Sequence, residues 1–257
     1  MFELASLPQE LGEIVLQGLR LGALTFRRLF SLTTIIAFLG LIPTVVLVWG
    51  ANDTTSFDTP TFEAIGHRFI SPYGALIFAV AVAGLLPQAM LLKRIALAAR
   101  GTAEARDVEL RQALRVWPWM LLAMIVYALV VALGMLLVLI PGLILALTLM
   151  FAEYGVVLEG QKPLAALNAS HNLVWGHWWR TFGMLLLVTI PPLLLISILS
   201  AAFGIDFGTM DDPVVHGRDL FKQAVLQMVF LAFCGPFYYS ILFLYYHDLK
   251  LRRQAPR

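Results

Sequence analysis

Apolar residues in this chain gather into six long runs, separated by short stretches where polar and charged residues return. The runs cover about 29–50, 72–92, 118–140, 141–158, 181–203 and 223–246. Each is close to the roughly 20 residues that an α-helix needs to cross the hydrocarbon of a bilayer. The third and fourth are divided only by "LIPGLI", where Pro141 and Gly142 predict a tight reversal. A single helix over 118–158 would extend about 60 Å, roughly twice the hydrocarbon thickness, so the pattern predicts a hairpin.

Between the runs the period changes. In "LPQELGEIVLQGLRLGAL", Leu7, Leu11, Ile14 and Val15 share one helical face, while Gln9, Glu10, Glu13, Gln17 and Arg20 lie elsewhere. In "AEARDVELRQALRVW", Leu110, Ala113, Leu114 and Trp117 recur at helical spacing, with Arg111 and Arg115 pointing away. Around "AALNASHNLVWGHWWR", Leu164, Leu167, Val174, Trp175 and Trp178 form the apolar side. Such faces predict helices lying in the headgroup plane. The expected architecture is all-α: one integral membrane domain over 1–257, with six transmembrane helices in three hairpins. An interfacial amphipathic helix precedes each hairpin, the first over 1–28, and a basic tail follows over 247–257.

Composition supports lipid as the solvent. Hydrophobic residues make up 60% of the 257, charged residues only 13%, and mean hydropathy is +0.83. A soluble domain carries about 25% charged residues. Six spans place both termini on one side, and that side holds all of the 18 lysines and arginines except Arg68, Arg218 and Lys222. The opposite loops carry Asp53, Asp58, Glu63, Asp206, Asp211, Asp212 and Asp219. Because basic loops stay in the cytoplasm, both ends are expected there. The first apolar run begins near Leu29 with no small-residue cleavage site after it, which predicts a retained span instead of a signal peptide.

The polar residues near or within the spans carry what chemistry there is. Tryptophan favours the membrane boundary because its ring is apolar and its N–H needs a polar partner. Trp117, Trp119, Trp175, Trp178 and Trp179 read as interface anchors, with Arg180 snorkelling toward phosphates. His171 falls inside the apolar stripe and reads either as a packed, hydrogen-bonded histidine or as a ligand or relay group. Glu153 is a carboxylate within the fourth span, a functional candidate by default or a structural partner of Arg180 or Lys93. Gln88, beside Pro87, would donate to backbone carbonyls that the proline frees. Pro43, Pro87, Pro191, Pro192 and Pro236 are expected to kink their helices, as in transporters.

Other chemistry is sparse. Asp206, Asp211, Asp212, His216 and Asp219 invite a divalent ion but show no ligand spacing, so neither metal nor cofactor is expected. No nucleotide-binding, hydrolase or paired-cysteine motif is present. Cys234 reads as a small apolar residue. The arginines line membrane flanks, which points to lipid headgroups and away from nucleic acid.

Residues 151–180 and the final "FYYSILFLYYHDLKLRR", with the Pro141-Gly142 turn, resemble a group of six-helix bacterial membrane proteins. The group includes the membrane domain attached to some glycerophosphodiester phosphodiesterases and the YciC-like inner-membrane proteins. Its pattern matches Glu159, Ala166, Leu167, Ser170, Trp178 and Arg180, then Tyr246, Asp248, Leu249, Lys250 and Arg252. The resemblance implies a bacterial cytoplasmic membrane. It does not carry the phosphodiesterase, whose separate metal-binding barrel is not expected within a chain ending at Arg257. Glu159, Asp248, Lys250 and Arg252 could form a polar clamp between hairpins, with Arg180 as a partner, or could each snorkel separately.

The leading expectation is a non-catalytic membrane protein of envelope or lipid homeostasis, acting through lipids, a membrane-protein partner or a second copy of itself. The alternative is a small transporter or permease with a pathway near Glu153 and His171. An intramembrane enzyme ranks third, since no acid and base pair at a shared depth is evident.

Overall fold

A computed structural model describes residues 4–51, 72–102, 105–205 and 213–254. Among the described residues there is no strand. The helices are α1 (Leu11–Ala51), α2 (Pro72–Ala99), α3 (Arg106–Leu137), α4 (Leu139–Leu149), α5 (Ala152–Glu159), α6 (Pro163–Val174), α7 (Trp178–Ala202) and α8 (Pro213–Gln254). A 3-10 turn, Trp175–His177, links α6 to α7. Six segments are long and apolar enough to cross a membrane: Leu11–Pro43, Gly74–Ala99, Arg106–Leu137, Leu139–Glu159, Pro163–Ala202 and Phe221–Gln254. The chain is a multi-pass membrane protein.

The scaffold is an antiparallel pair of long helices, α1 and α8, which share the most extensive contact among the described residues. Along α1, Ile14, Leu21, Thr25, Leu29, Leu32 and Thr33 are buried along one helical face. The glycines of "GLRLG" lie on the same seam. A Cβ on Gly18 would sit 2.7 Å from the Ile241 Cα, and one on Gly22 would sit 2.9 Å from the Phe237 Cα. Small residues four apart let two backbones approach closely where lipid supplies no hydrophobic drive to associate. Phe26 and Phe30 of α1 stack against Phe233 of α8, with centroids 6.3 and 5.2 Å apart.

Prolines do not break this pair. Pro236 lies inside α8 and cannot donate to the carbonyl of Ala232 four residues earlier. Thr33 of α1, fully buried, has its hydroxyl 3.0 Å from that carbonyl. The freed acceptor is therefore satisfied across the interface.

Several expected boundaries shift. Residues 11–28 form no separate surface helix; the seam with α8 runs straight through position 28, so α1 continues unbroken. The stretch before the third span is likewise the first part of α3, because Glu109, Ala113, Met120 and Ala123 bury one continuous stripe across it. Leu110 and Leu114 point outward instead. Only the third such stretch is a helix of its own, α6. There the buried face is Ala166, Leu167, Ser170, Leu173 and Val174, and Leu164 and Trp175 are exposed. Residues 247–254 continue α8, with Asp248 and Leu249 buried, so this part of the expected tail is helix.

Among the described residues the contacts do not show a layout of three hairpins. α1 packs on α2 and α3 on α4, but α7 touches α8 sparsely, and α8 lies chiefly on α1. The α3–α4 reversal falls at Val138 (φ −153°, ψ 131°), with Pro141 in the first turn of α4. That turn needs few backbone donors, so proline fits there. Gly142 instead marks the closest approach, where a Cβ would lie 2.6 Å from the Met135 Cα.

Candidate functional site

The fourth span is discontinuous. α4 ends at Leu149, α5 starts at Ala152, and Phe151 between them has φ −91° and ψ 7°. A break at this depth leaves backbone groups that lipid cannot satisfy. Ser170 on α6 closes the gap: its hydroxyl accepts from the Phe151 N–H at 3.1 Å and donates to the Thr148 carbonyl at 2.8 Å. Phe151 packs edge-on against Tyr154, with centroids 5.4 Å apart, and lies 5.7 Å from the ring of Tyr246 on α8.

Glu153 stands in the first turn of α5, where the helix dipole favours a negative charge. Its partner is Gln88 of α2, which donates from Nε2 to Oε2 at 2.6 Å. Of the partners expected for Glu153, Arg180 reaches Asp248 at 3.4 Å and Lys93 donates to Gln112 Oε1 at 3.1 Å. Gln88 does not serve the carbonyls freed by Pro87, because a carboxylate within reach is the stronger acceptor. Beside it the hydroxyl of fully buried Tyr154 has no hydrogen-bond partner. His171 is half-buried and stacks on Trp175 at 5.0 Å. The structure thus brings Glu153 to Gln88 and puts His171 with tryptophan.

Below this break, α5, α6 and α8 enclose a cleft of about 340 Å³. Phe151, Ala166, Ala169, Leu173 and the Ser170 hydroxyl line it together with a polar set: Glu159, Gln161, Tyr246, Lys250, Arg253 and Gln254. Glu159 is the last residue of α5, directly before the left-handed cap at Gly160 (φ 66°). Its carboxylate accepts from Lys250 Nζ at 2.7 Å, the Tyr246 hydroxyl at 2.5 Å and Gln161 Nε2 at 2.8 Å.

A second polar node ties α1 to α8 at one end of the scaffold pair. Asp248 on α8 is 3% exposed. It accepts from the Gln9 backbone N–H at 2.7 Å and from Arg252 Nε at 2.8 Å, with Arg180 Nη2 at 3.4 Å. Arg180 and Arg252 both donate to the Gln9 carbonyl, at 2.5 and 2.6 Å. The four residues of the expected clamp therefore fall into two separate clusters, Glu159 with Lys250 and Asp248 with Arg252. Arg180 is held by protein groups. A third tie, absent from the sequence reading, is the buried Glu109, which accepts from Arg94 Nε at 2.6 Å while Arg94 Nη1 donates to the Arg28 carbonyl at 3.0 Å.

Trp117 is not a free anchor, since its Nε1–H donates to the Val82 carbonyl of α2 at 3.0 Å. Trp119, Trp175 and Trp179 are exposed, and Trp178 stacks on Trp179 at 3.9 Å. Cys234 is a free, half-buried thiol. Asp53, Asp58, Glu63, Asp206, Asp211, Asp212 and the side chain of His216 lie outside the described residues. Asp219 is within them and pairs with Lys222 at 2.8 Å. Among the described residues no group of three or more His, Cys, Asp or Glu could hold a metal ion.

A family model described as a domain of unknown function, DUF7847, matches residues 2–241. The chain belongs to this family. The match spans α1 to the Ile241 contact of α8, so the Gly18 and Gly22 seam, the broken fourth span and Ser170 all lie within the DUF7847 region. Lys250 and Arg253 fall beyond it. No curated protein and no solved structure matches the chain. The DUF7847 match does not link it to the YciC-like group that its motifs resemble.

Proposed function

We propose that this protein is a non-catalytic component of a bacterial cytoplasmic membrane, with both termini in the cytoplasm, serving envelope or lipid homeostasis through contacts with lipids. The observation that carries this reading is the cleft between α5, α6 and α8. It combines an apolar floor with a cationic rim at the end of the molecule where Lys and Arg concentrate. Lipid headgroups meet such rims at cytoplasmic membrane faces. Exposed Trp175 and Trp179 on the neighbouring segment supply the aromatic boundary that suits this depth.

Deleting the gene and profiling membrane lipids and stress tolerance tests the proposal. A shifted lipid composition with no abolished reaction is the expected result. Turnover of a purified substrate that disappears in Glu153→Ala would contradict it.

A second reading, transport, rests on one specific feature: the interrupted fourth span with Glu153 at the start of α5, since broken helices present backbone and carboxylate groups to cargo in transporters. Proteoliposome flux lost in Glu153→Gln would favour transport over lipid contact.

A further inference from the structure

We infer that the α5–α6–α8 cleft binds the phosphate-bearing headgroup of an anionic membrane phospholipid that also carries a hydroxyl. This rests on the lipid-contact reading above and names the ligand class for it.

The volume of about 340 Å³ lies at the small end for ligand sites, enough for a headgroup and not for a whole lipid. The rim presents two cations, Lys250 and Arg253, against the single carboxylate of Glu159. Glu159 is already engaged by Lys250, Tyr246 and Gln161. Arg253 is exposed and forms no ion pair among the described residues, so its guanidinium is available for a phosphate at the rim. Arginine matches phosphate oxygens with paired N–H groups, which suits it to this task.

One further group points to the hydroxyl. Gln161 uses its Nε2 on Glu159, while its Oε1 is buried at the cleft with no hydrogen-bond partner. An acceptor left unmet in a low-dielectric site is costly, and a donor on the incoming headgroup would satisfy it. A choline headgroup has no such donor. The apolar floor of Phe151, Ala166, Ala169 and Leu173 belongs to the fourth and fifth candidate spans, so the upper acyl chains have a surface to follow. Inorganic phosphate offers the same anion without that contact.

The test uses the full chain, purified in detergent and titrated separately with phosphatidylglycerol, phosphatidylcholine and inorganic phosphate, with retained ligand read by native mass spectrometry. Phosphatidylglycerol is expected to be retained about tenfold more strongly than phosphatidylcholine, and Arg253→Gln to remove most of that preference. Arg100→Gln, an exposed cation outside the cleft, is expected to leave it intact. Gln161→Leu removes the unmet acceptor and is expected to narrow the gap between the two lipids. Equal retention of both lipids, or equal effects of the two arginine variants, overturns the headgroup assignment while leaving lipid contact standing. Displacement of the lipid by millimolar inorganic phosphate overturns the lipid as source. Retention of no phospholipid by the unaltered protein, with unchanged membrane composition on gene deletion, overturns the broader reading as well.

Discussion

The α1–α8 pair and the fourth span handle an interrupted backbone in opposite ways. α1 and α8 contain Pro43 and Pro236 and remain continuous over 41 and 42 residues. The fourth span has no proline at its interruption, yet it divides into α4 and α5 around Phe151. In both places a hydroxyl from another helix answers the backbone group left over: Thr33 for the Ala232 carbonyl, Ser170 for the Phe151 N–H and Thr148 carbonyl. A proline in a membrane helix is thus tolerated where a neighbour supplies the missing donor. A break forms without proline where a neighbour can meet both of its sides. Partners, more than local breakers, decide the outcome.

The sharpest way to break the comparison is to remove the anchor of the long pair. Asp248→Ala would leave the Arg180 and Arg252 guanidiniums without their buried carboxylate and the Gln9 N–H without its acceptor. Stripping one partner from such a buried group is expected to cost about 3 kcal/mol or more. Thermal denaturation in detergent should show the largest fall in midpoint of any variant here.

Gly22→Val is expected to come next. Its Cβ would meet the Phe237 backbone at 2.9 Å, so α1 and α8 must separate, at about 2 kcal/mol. An engineered disulfide across the pair should then form more slowly than in the unaltered seam.

Ser170→Ala strikes the other region. It leaves a buried N–H and a carbonyl unmet, an expected loss of about 1–2 kcal/mol. Hydrogen exchange should rise locally around 148–154 while α1 and α8 keep their protection. Thr33→Val removes the hydroxyl that reaches the Ala232 carbonyl and, within α1, those of Leu29 and Phe30; it is expected to be the mildest, at about 1 kcal/mol, with exchange increasing near Pro236. Should Thr33→Val instead split α8, the proposed compensation is wrong.

What depends on solvent and period is legible in the sequence. Run length gives the six segments long and apolar enough to cross, because a helix satisfies its own backbone in hydrocarbon. The α3–α4 reversal was legible too, within a few residues, from Pro141 and Gly142. The unbroken course of α1 was less so, since charged residues on its outer side suggested a surface helix. The signal that would have corrected this is "GLRLG", whose glycines four apart mark a close helix contact. The break at Phe151 has no local signature, as "LTLMFAEYG" contains no breaker before Gly155. It exists because Ser170, nineteen positions away, bonds to it. The cleft was hidden for the same reason: Glu159 and Lys250 are 91 positions apart and meet only once α5 docks on α8.

The most direct test of the six-span, antiparallel architecture is the sidedness of the chain ends in intact membranes. Reporter fusions at Met1 and at Arg257, read in the same cells, should both give the cytoplasmic signal, with the protein extracted only by detergent. Signals from opposite faces, or a protein that stays in solution without detergent, would contradict it.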